Sequence, residues 1–448
     1  MQAAGKRVQG DVIMVFEPEK KLVKCLVCGE VFDPESGVGP VCGVGPDKWI
    51  EAPVTKTDFR NDTYENIFII GGGPAAYYAA EAVRDRNKTC FISIITDENE
   101  LPYNRPMLTK ALLEDFSDNQ LAISGNDWFA ERKIFVQKGR KVSSIDVEAK
   151  KIFCEDGAEF KYDKLIYALG AYCFVPPIKG ADKPHVISIR NIEDTNKVKA
   201  MMGTAGKAVC IGGGVMGLEG AWELKQGGID VTVLETAPGL LPKQLDDPAS
   251  EMLEDIITNK GINCVCGAKI TEITDDAVLL EDGRSFDAQL VIMSTGMRPH
   301  VKIAQEAGIN AERLVEVDLQ MKTNVPDVYA CGDCCAVNGA QQAFWAQAKE
   351  TGKVAGANAA GDSVKYDPLG ASLVINAMDT SIFALGTNGK DDKEYNVVEK
   401  KNTDNNTYEK YYFEDGKLAG VILIGDTSRM VELNDAVMSG KKYEEMFA

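Results

Sequence analysis

The chain has 448 residues, 45% of them hydrophobic, and a formal net charge of −19, which allows about three domains with ample apolar material for packed cores. The acidic balance disfavours nucleic acid and anionic membrane surfaces as partners. The apolar runs are strand-sized, well short of the roughly 20 residues of a membrane span, and the first residues carry no signal-peptide apolar stretch, so a cytoplasmic protein is expected.

Residues 1–51 form a unit of their own. Lys24-Cys25-Leu-Val-Cys28-Gly29 and Pro40-Val-Cys42-Gly43 are two short knuckles of the kind that wrap one tetrahedral metal: the paired thiolates reach a single ion, and the following glycine admits the tight turn. Cys25, Cys28 and Cys42 are therefore candidate ligands for Fe or Zn. Residues 52–64 are polar and mixed in charge and read as a linker.

The body begins with the apolar, β-branched run Ile67-Phe-Ile-Ile, which ends in Gly71-Gly72-Gly73-Pro-Ala75-Ala76 and leads into a helix from Ala75 to Arg86. The first glycine lets the chain leave the strand tightly, the second lets backbone N–H groups approach a pyrophosphate, and the third position, here Ala76, lets helix and strand pack closely. The next strand, from Phe91, leads to Asp97 and Glu98, where a carboxylate would accept from an adenosine ribose. An irregular segment through Leu101–Lys110 follows, then short strands between Phe135 and Ile166 with a hairpin turn at Asp156-Gly157, ending at Tyr167-Ala-Leu-Gly170.

About 140 residues after the first turn the pattern returns as Ala208-Val-Cys-Ile-Gly212-Gly213-Gly214-Val-Met216-Gly217, and Val231-Thr-Val-Leu leads to Glu235. A helix from Pro248 to Lys260 and further strands ending at Ser294-Thr-Gly296 complete this repeat. Two turns in register mean a chain built to hold two dinucleotides, which points to flavin plus nicotinamide chemistry. Glu235 accepts from both ribose hydroxyls of NADH but repels a 2′-phosphate, and no arginine follows it, so NADH is preferred over NADPH. After Gly361 the composition changes to alternating strands around Glu414-Asp415-Gly416 and a closing helix from about Ser428, a small α+β domain.

From about residue 64 to the last residue the chain resembles the pyridine nucleotide-disulfide oxidoreductase superfamily, and within it the rubredoxin, ferredoxin and nitrite reductase flavoproteins. The resemblance is carried by Pro102-Tyr-Asn-Arg-Pro-Met-Leu-Thr-Lys110, by Gly212 to Glu219, by Leu234-Glu-Thr-Ala-Pro-Gly-Leu-Leu-Pro242, by Val328-Tyr-Ala-Cys-Gly332-Asp333 and by Trp345-Ala-Gln-Ala. Residues 1–51 are separately similar to a short rubredoxin. The implied architecture is α/β: two Rossmann-like domains for FAD and NAD, a C-terminal α+β domain and a small N-terminal rubredoxin-like metal knuckle module. The expected boundaries are 65–182 and 301–364 for the two parts of the FAD-binding domain, 183–300 for the NAD-binding domain and 365–448 for the C-terminal domain.

The resemblance implies that Gly71, Gly73, Ala75, Ala76 and Asp97 or Glu98 hold the FAD adenosine diphosphate, that Asp333 after Gly332 bonds the ribityl chain, and that Arg105 and Lys110 lie beside the flavin with Gly170. A cation there stabilises the negative charge that reduction develops. Gly212, Gly214, Met216, Gly217, Glu235 and Gly296 would hold NAD(H), with Glu219 near flavin and nicotinamide and able to pair with Lys110. Lys110, Glu219 and Trp345 are the candidate catalytic residues, Trp345 lining an electron path at the flavin edge.

Redox cysteine pairs are absent from Ala75–Arg86 and Gly212–Gly227, and Asp97–Leu113 contains no thiol, so electrons are expected to leave the flavin directly to a one-electron iron–sulfur or rubredoxin-type carrier. Cys331, Cys334 and Cys335 are expected as buried fillers at a packed helix start, and His185 and His300, the only two histidines, as structural. The metal knuckle is incomplete: where a rubredoxin places its third thiolate stands Gly39, leaving Asp33 or Glu35 as a fourth ligand, an open position, or no metal. The expected function is an FAD-dependent NADH oxidoreductase serving such a carrier, as a homodimer or a subunit of a redox complex. An NADH oxidase acting on oxygen species and a non-catalytic flavoprotein assembly subunit are the alternatives.

Overall fold

A computed structural model describes residues 3–8, 11–16, 22–27, 31–32, 34, 39–40, 42–52, 57–116, 118–340, 343–368 and 372–447. The chain divides into two compact units, residues 1–56 and 57–448.

In the small unit, Val23–Cys25 is the central strand of a three-stranded sheet, antiparallel to Val31–Phe32 and to Trp49–Glu51. Ala3–Val8 and Asp11–Phe16 pair antiparallel apart from it. Phe32 and Trp49 meet edge to face at 4.9 Å, and Trp49 Nε1 donates to the Val44 carbonyl at 3.1 Å, so this half-buried aromatic pair packs across the sheet.

The large unit contains two five-stranded parallel sheets on one plan. Their orders are Val328–Ala330, Lys164–Tyr167, Asn66–Ile70, Phe91–Ile95, Ile134–Gln137, and Val186–Ile187, Leu290–Met293, Lys207–Ile211, Asp230–Leu234, Asn263–Val265. In both, the strand before the glycine turn is central. The strand after the helix lies on one side, and the strand that follows a three-stranded antiparallel sheet lies on the other. Ile67, Ile69, Ile92, Ile94 and Ile166 are fully buried, as strands covered on both faces require. The plans differ at one edge: Val328 pairs with Leu165 from far downstream, so the first sheet is completed by a strand that follows the second sheet in the chain.

The helix Pro74–Arg86 crosses Trp345–Ala359 at backbone contact. A Cβ on Gly352 would stand 2.4 Å from the Ala75 carbonyl oxygen, and one on Gly356 would stand 2.1 Å from that of Ala79. The C-terminal sheet is antiparallel, in the order Leu373–Ala377, Thr380–Gly386, Lys417–Ile424, Thr407–Glu414, Asn396–Asn402. Its expected turn has Asp415 and Gly416 at φ 50 and 76°, the left-handed pair of a two-residue hairpin.

Three expectations need correction. Residues 57–64 are no free linker but lie on the body: Asn61 Nδ2 donates to the Ala360 carbonyl at 3.0 Å, and the Lys88 N–H donates to Asp62 at 2.8 Å. Their polar side chains satisfy helix-end backbone, which composition alone does not reveal. Cys334 and Cys335 open no α-helix; Gly332–Cys334 is one 3-10 turn running into the strand Cys335–Val337, and the helix begins at Trp345. The closing helix starts at Met430, and a second one, Tyr443–Phe447, follows it.

Candidate active site

The first glycine turn leaves its strand where no side chain fits. Gly71 has φ 117°, and a Cβ on it would stand 2.1 Å from the Ala168 carbonyl oxygen. Gly73 caps the following helix with no side-chain hydrogen bond to its N–H groups, and Ala75 and Ala76 are buried in the first turn. Around this open N-terminus the chain assembles two guanidiniums and two carboxylates. Arg105 Nη2 pairs with Glu98 Oε1, and Arg105 Nη1 donates to the Tyr103 hydroxyl at 3.0 Å and to the Arg190 carbonyl at 2.8 Å. Tyr103 in turn donates to Glu98 Oε2 at 2.6 Å. Arg190 Nη2 lies 3.5 Å from Asp333 Oδ2 and 3.5 Å from where a Cβ on Gly170 would stand. Burial and the neighbouring Arg105 lower the Arg190 guanidinium from its ordinary value against the pull of Asp333, so Arg190 is left favouring a further anion, whereas burial of Arg105 is outweighed by Tyr103 and Glu98, which raise it.

Both Glu98 oxygens are engaged within the protein, whereas Asp97 beside it is exposed. Gly332, at φ 79°, lies against the same helix, where its Cβ would meet that of Ala75 at 2.9 Å. Among the described residues five side-chain polar atoms are buried without a hydrogen-bond partner: Asn104 Oδ1, next to Arg105 in sequence, the Tyr162 hydroxyl, His185 Nε2, Trp345 Nε1 and Gln347 Oε1. An orphaned acceptor such as Asn104 Oδ1 is open to a bound water, ion or polar ligand.

The second turn repeats the first. Gly212, at φ 111°, backs onto Ser294, where a Cβ would stand 2.2 Å from the carbonyl oxygen, and a Cβ on Gly217 would strike the Gly212 carbonyl at 2.0 Å. Gly214 caps the helix Val215–Gln226, again without a side-chain partner, and Met216 is 37% exposed on its first turn. Glu235 reaches the turn: Oε2 accepts from the Gly213 N–H at 2.6 Å, and Oε1 accepts from Ala237 N–H at 2.7 Å. Gly296, at φ 104°, closes the crossover after Met293.

Gly73 and Gly214 test whether these turns fit dinucleotides. Their φ values of −89 and −83° suit any residue. A Cβ on Gly214 would meet nothing within 4 Å, and one on Gly73 only Arg105 Nε at 3.9 Å. The protein itself does not require glycine there; a diphosphate approaching an open helix N-terminus does. The two turns fit that group.

The two sites meet at Glu219. The buried Thr109 hydroxyl donates to Glu219 Oε2 at 3.1 Å, joining the Arg105 loop to the second helix. Burial raises the Glu219 carboxyl, opposed by Lys110 and by this hydrogen bond. Lys110 thus acts on Glu219 electrostatically, while Thr109 supplies the hydrogen bond. One helical turn on, Glu223 is pushed up to about 7 by burial and by Glu219, against Lys110. Sequence reasoning missed Thr109 and Arg190; the run Ile189-Arg190-Asn191 before a capped helix was the available signal for the latter.

Cys331, Cys334 and Cys335 are buried, unbridged and raised by burial, with Cys334 and Cys335 donating to backbone carbonyls at 3.3 and 3.2 Å. Of the metal candidates, Cys25 and Cys42 have sulfurs 3.5 Å apart. The Val27 N–H points at Cys25 Sγ at 3.4 Å, and Gly43, at φ 69°, closes its turn onto the Pro40 carbonyl at 2.8 Å. Cys28, Asp33 and Glu35 lie outside the described residues, and among the described residues no three metal-ligating side chains converge.

Also among the described residues, no helix is long and apolar enough to cross a membrane. The profile of the pyridine nucleotide-disulphide oxidoreductase family matches residues 65–360, and that of the rubredoxin NAD+ reductase C-terminal domain matches residues 372–441. The chain is 34% identical over 338 residues to an NADH oxidase of Methanocaldococcus jannaschii, covering 71% of this chain and 75% of that protein. It is 30% identical over 380 residues to the assimilatory nitrate reductase electron transfer subunit of Bacillus subtilis, covering 84% of this chain but only 49% of that protein, so it spans about half of that relative. The crystal structure of NADH:rubredoxin oxidoreductase from Clostridium acetobutylicum superposes with a TM-score of 0.74 at 26% identity, covering 86% of this chain and 97% of that one. With two glycine turns, their capless helices and a family match over most of its length, this chain belongs to the pyridine nucleotide-disulphide oxidoreductases.

Proposed function

We propose that this protein is an FAD-dependent NADH oxidoreductase that exchanges electrons with a one-electron iron–sulfur or rubredoxin-type carrier. The observation that carries the reading is the pair of guanidiniums, Arg105 and Arg190, set with Asp333 and Glu98 around the open helix N-terminus at Gly73. Helix dipole and guanidiniums together would hold a flavin diphosphate. Asp97, exposed, would accept from the ribose, and Asp333 from the ribityl chain. Glu98 braces Arg105. When bound, a flavin takes up two electrons with a hydride and gives them out singly, which suits transfer from NADH to such a carrier. Lys110 would set positive charge beside the ring, stabilising the negative charge that reduction develops, and Thr109 and Glu219 tie that loop to the second glycine-turn helix. Gly212, Gly214, Gly217 and Glu235 would hold NADH. The relatives' names support this reading, and the oxidase name supports the second, reduction of oxygen at the flavin; the lack of a thiol in Asp97–Leu113 disfavours forms that need one.

Anaerobic mixing with NADH should bleach the flavin, and rubredoxin or a ferredoxin should restore its colour faster than air. Faster reoxidation by air would favour the oxidase reading. Glu235→Arg should lower the NADH to NADPH preference by about tenfold or more; an unmoved ratio of kcat/KM values would place the adenosine ribose elsewhere.

The paired sulfurs of Cys25 and Cys42 support a bound Fe or Zn in the small unit, with Cys28 as third ligand. Such a module would serve the same carrier as relay or docking element.

A further inference from the structure

The C-terminal domain grips the loop that walls the second glycine turn. That loop, residues 239–246, is held tightly at its turn end. The Leu241 N–H donates to the Gly213 carbonyl at 3.0 Å, with Leu241 in the left-handed region at φ 48°. Leu240 Cδ2 would lie 2.7 Å from a Cβ on Gly213, and Ser250 Oγ donates to the Leu240 carbonyl at 3.0 Å. At its far end Asp246, 5% exposed, caps the helix Asp247–Asn259 by accepting from the Ala249 N–H at 3.0 Å.

A cap needs one oxygen of that carboxylate. The other collects three donors from the C-terminal sheet: Lys410 Nζ at 2.7 Å, the Tyr408 hydroxyl at 2.8 Å and the Tyr412 hydroxyl at 2.9 Å. Asn388 Nδ2 adds a bond to the Leu245 carbonyl at 3.1 Å. Tyr408 and Tyr412 are 0% and 4% exposed. A carboxylate with four donors, nearly excluded from water, is a rigid joint, because losing any donor leaves buried polar atoms unsatisfied.

We infer that Asp246 is a positioning residue through which the C-terminal domain sets the shape of the NADH site. Lys410, Tyr408 and Tyr412 fix Asp246, Asp246 fixes the loop, and Leu240 and Leu241 fix Gly213, whose carbonyl bonds Leu241 and whose N–H bonds Glu235. This rests on the assignment of the second turn to NADH. It gives the C-terminal domain a part in nucleotide affinity beyond any contact with the nucleotide itself.

The test uses the flavin-loaded protein and three variants that keep the cap: Lys410→Met, Tyr408→Phe with Tyr412→Phe, and Asp246→Asn, whose amide still caps. NAD+ affinity by calorimetry and the KM for NADH should weaken by about fivefold or more, while kcat at saturating NADH and bound FAD stay at the wild-type level. Lys393→Met, which breaks the exposed Lys393–Glu414 pair of the same domain, should leave NAD+ affinity unchanged. A purely structural joint would lower the melting temperature without moving NAD+ affinity or KM in the folded protein, and that result overturns the inference. Failure of the wild-type protein to bind NAD+ would instead overturn the assignment of the turn.

Discussion

Gly214 separates what the fold demands from what a ligand demands. With φ at −83° and no described protein atom within 4 Å of an added Cβ, Gly214→Ala should fold, since it meets neither strain nor a clash, at a cost of about 1 kcal/mol for an alanine N-cap. The methyl group would stand where a diphosphate approaches the helix N-terminus. NAD+ binding by the folded protein should therefore weaken by about tenfold, or 1.4 kcal/mol; unchanged binding in calorimetry would sever this turn from the dinucleotide. Glu223 offers a pH test. Its folded-state pKa, about 7, exceeds the ordinary carboxylate value because of burial and Glu219. The folded protein therefore holds that proton more tightly than the unfolded chain, and stability is lost as pH rises from the ordinary range through 7. Glu223→Gln removes the penalty. The variant should gain about 1 kcal/mol over wild type near pH 8, after allowance for screening at a half-exposed group, and nothing near pH 5. Urea denaturation at the two pH values decides; an equal difference at both would remove the charge pair from the account.

At the level of elements, the two glycine turns were legible because their cause is local: a backbone leaving a strand at φ 117° or 111° against the neighbouring carbonyl admits only glycine. Contacts formed by elements distant in sequence were not. Thr109 meets Glu219 across 110 residues and Arg190 meets Asp333 across 143, so neither partner is marked by periodicity. The helix expected around Cys334 failed for a related reason: burial of small residues serves a 3-10 turn and a short strand as well as a helix, and only the parallel pairing of Val315–Val317 with Cys335–Val337 decides it. The crossing of Pro74–Arg86 with Trp345–Ala359 shows what such distant packing costs to disturb. A Cβ on Gly356 would stand 2.1 Å from the Ala79 carbonyl oxygen, a backbone atom that no rotamer change can move. Gly356→Ala should destabilise the protein by about 3 kcal/mol and release flavin on purification, because Ala75 and Ala76 on the same helix flank the diphosphate cradle. A variant with wild-type melting temperature and full flavin content would show the helices free to separate.

The whole molecule joins a repeated dinucleotide-binding body to a small cysteine unit, and the unit is where sequence and family pattern part. Three thiols at 25, 28 and 42 match a rubredoxin knuckle, but position 39 is glycine. Among the described residues a Cβ on Gly39 would meet nothing within 4 Å, and its φ lies outside the left-handed region, so the glycine's own backbone geometry accepts a side chain. Gly39→Cys should therefore complete four thiolates without refolding the unit. Loaded with iron, the variant should show the charge-transfer absorbance of an iron–tetrathiolate centre and retain metal through chelator dialysis at least about tenfold better than wild type, because each thiolate lost from a tetrahedral site weakens a binding energy coupled to folding. Cys25→Ser with Cys28→Ser should lose the metal in either background. Flavin reduction by NADH should be equal in all of these proteins, since the two dinucleotide sites lie within residues 57–448, while the rate of carrier reduction should follow metal content if the unit relays or docks. Carrier reduction indifferent to metal would leave direct transfer from the flavin, which we propose runs past Trp345, as the exit. A Gly39→Cys protein that binds no more iron than wild type would mean that position 39 does not face the Cys25 and Cys28 thiols.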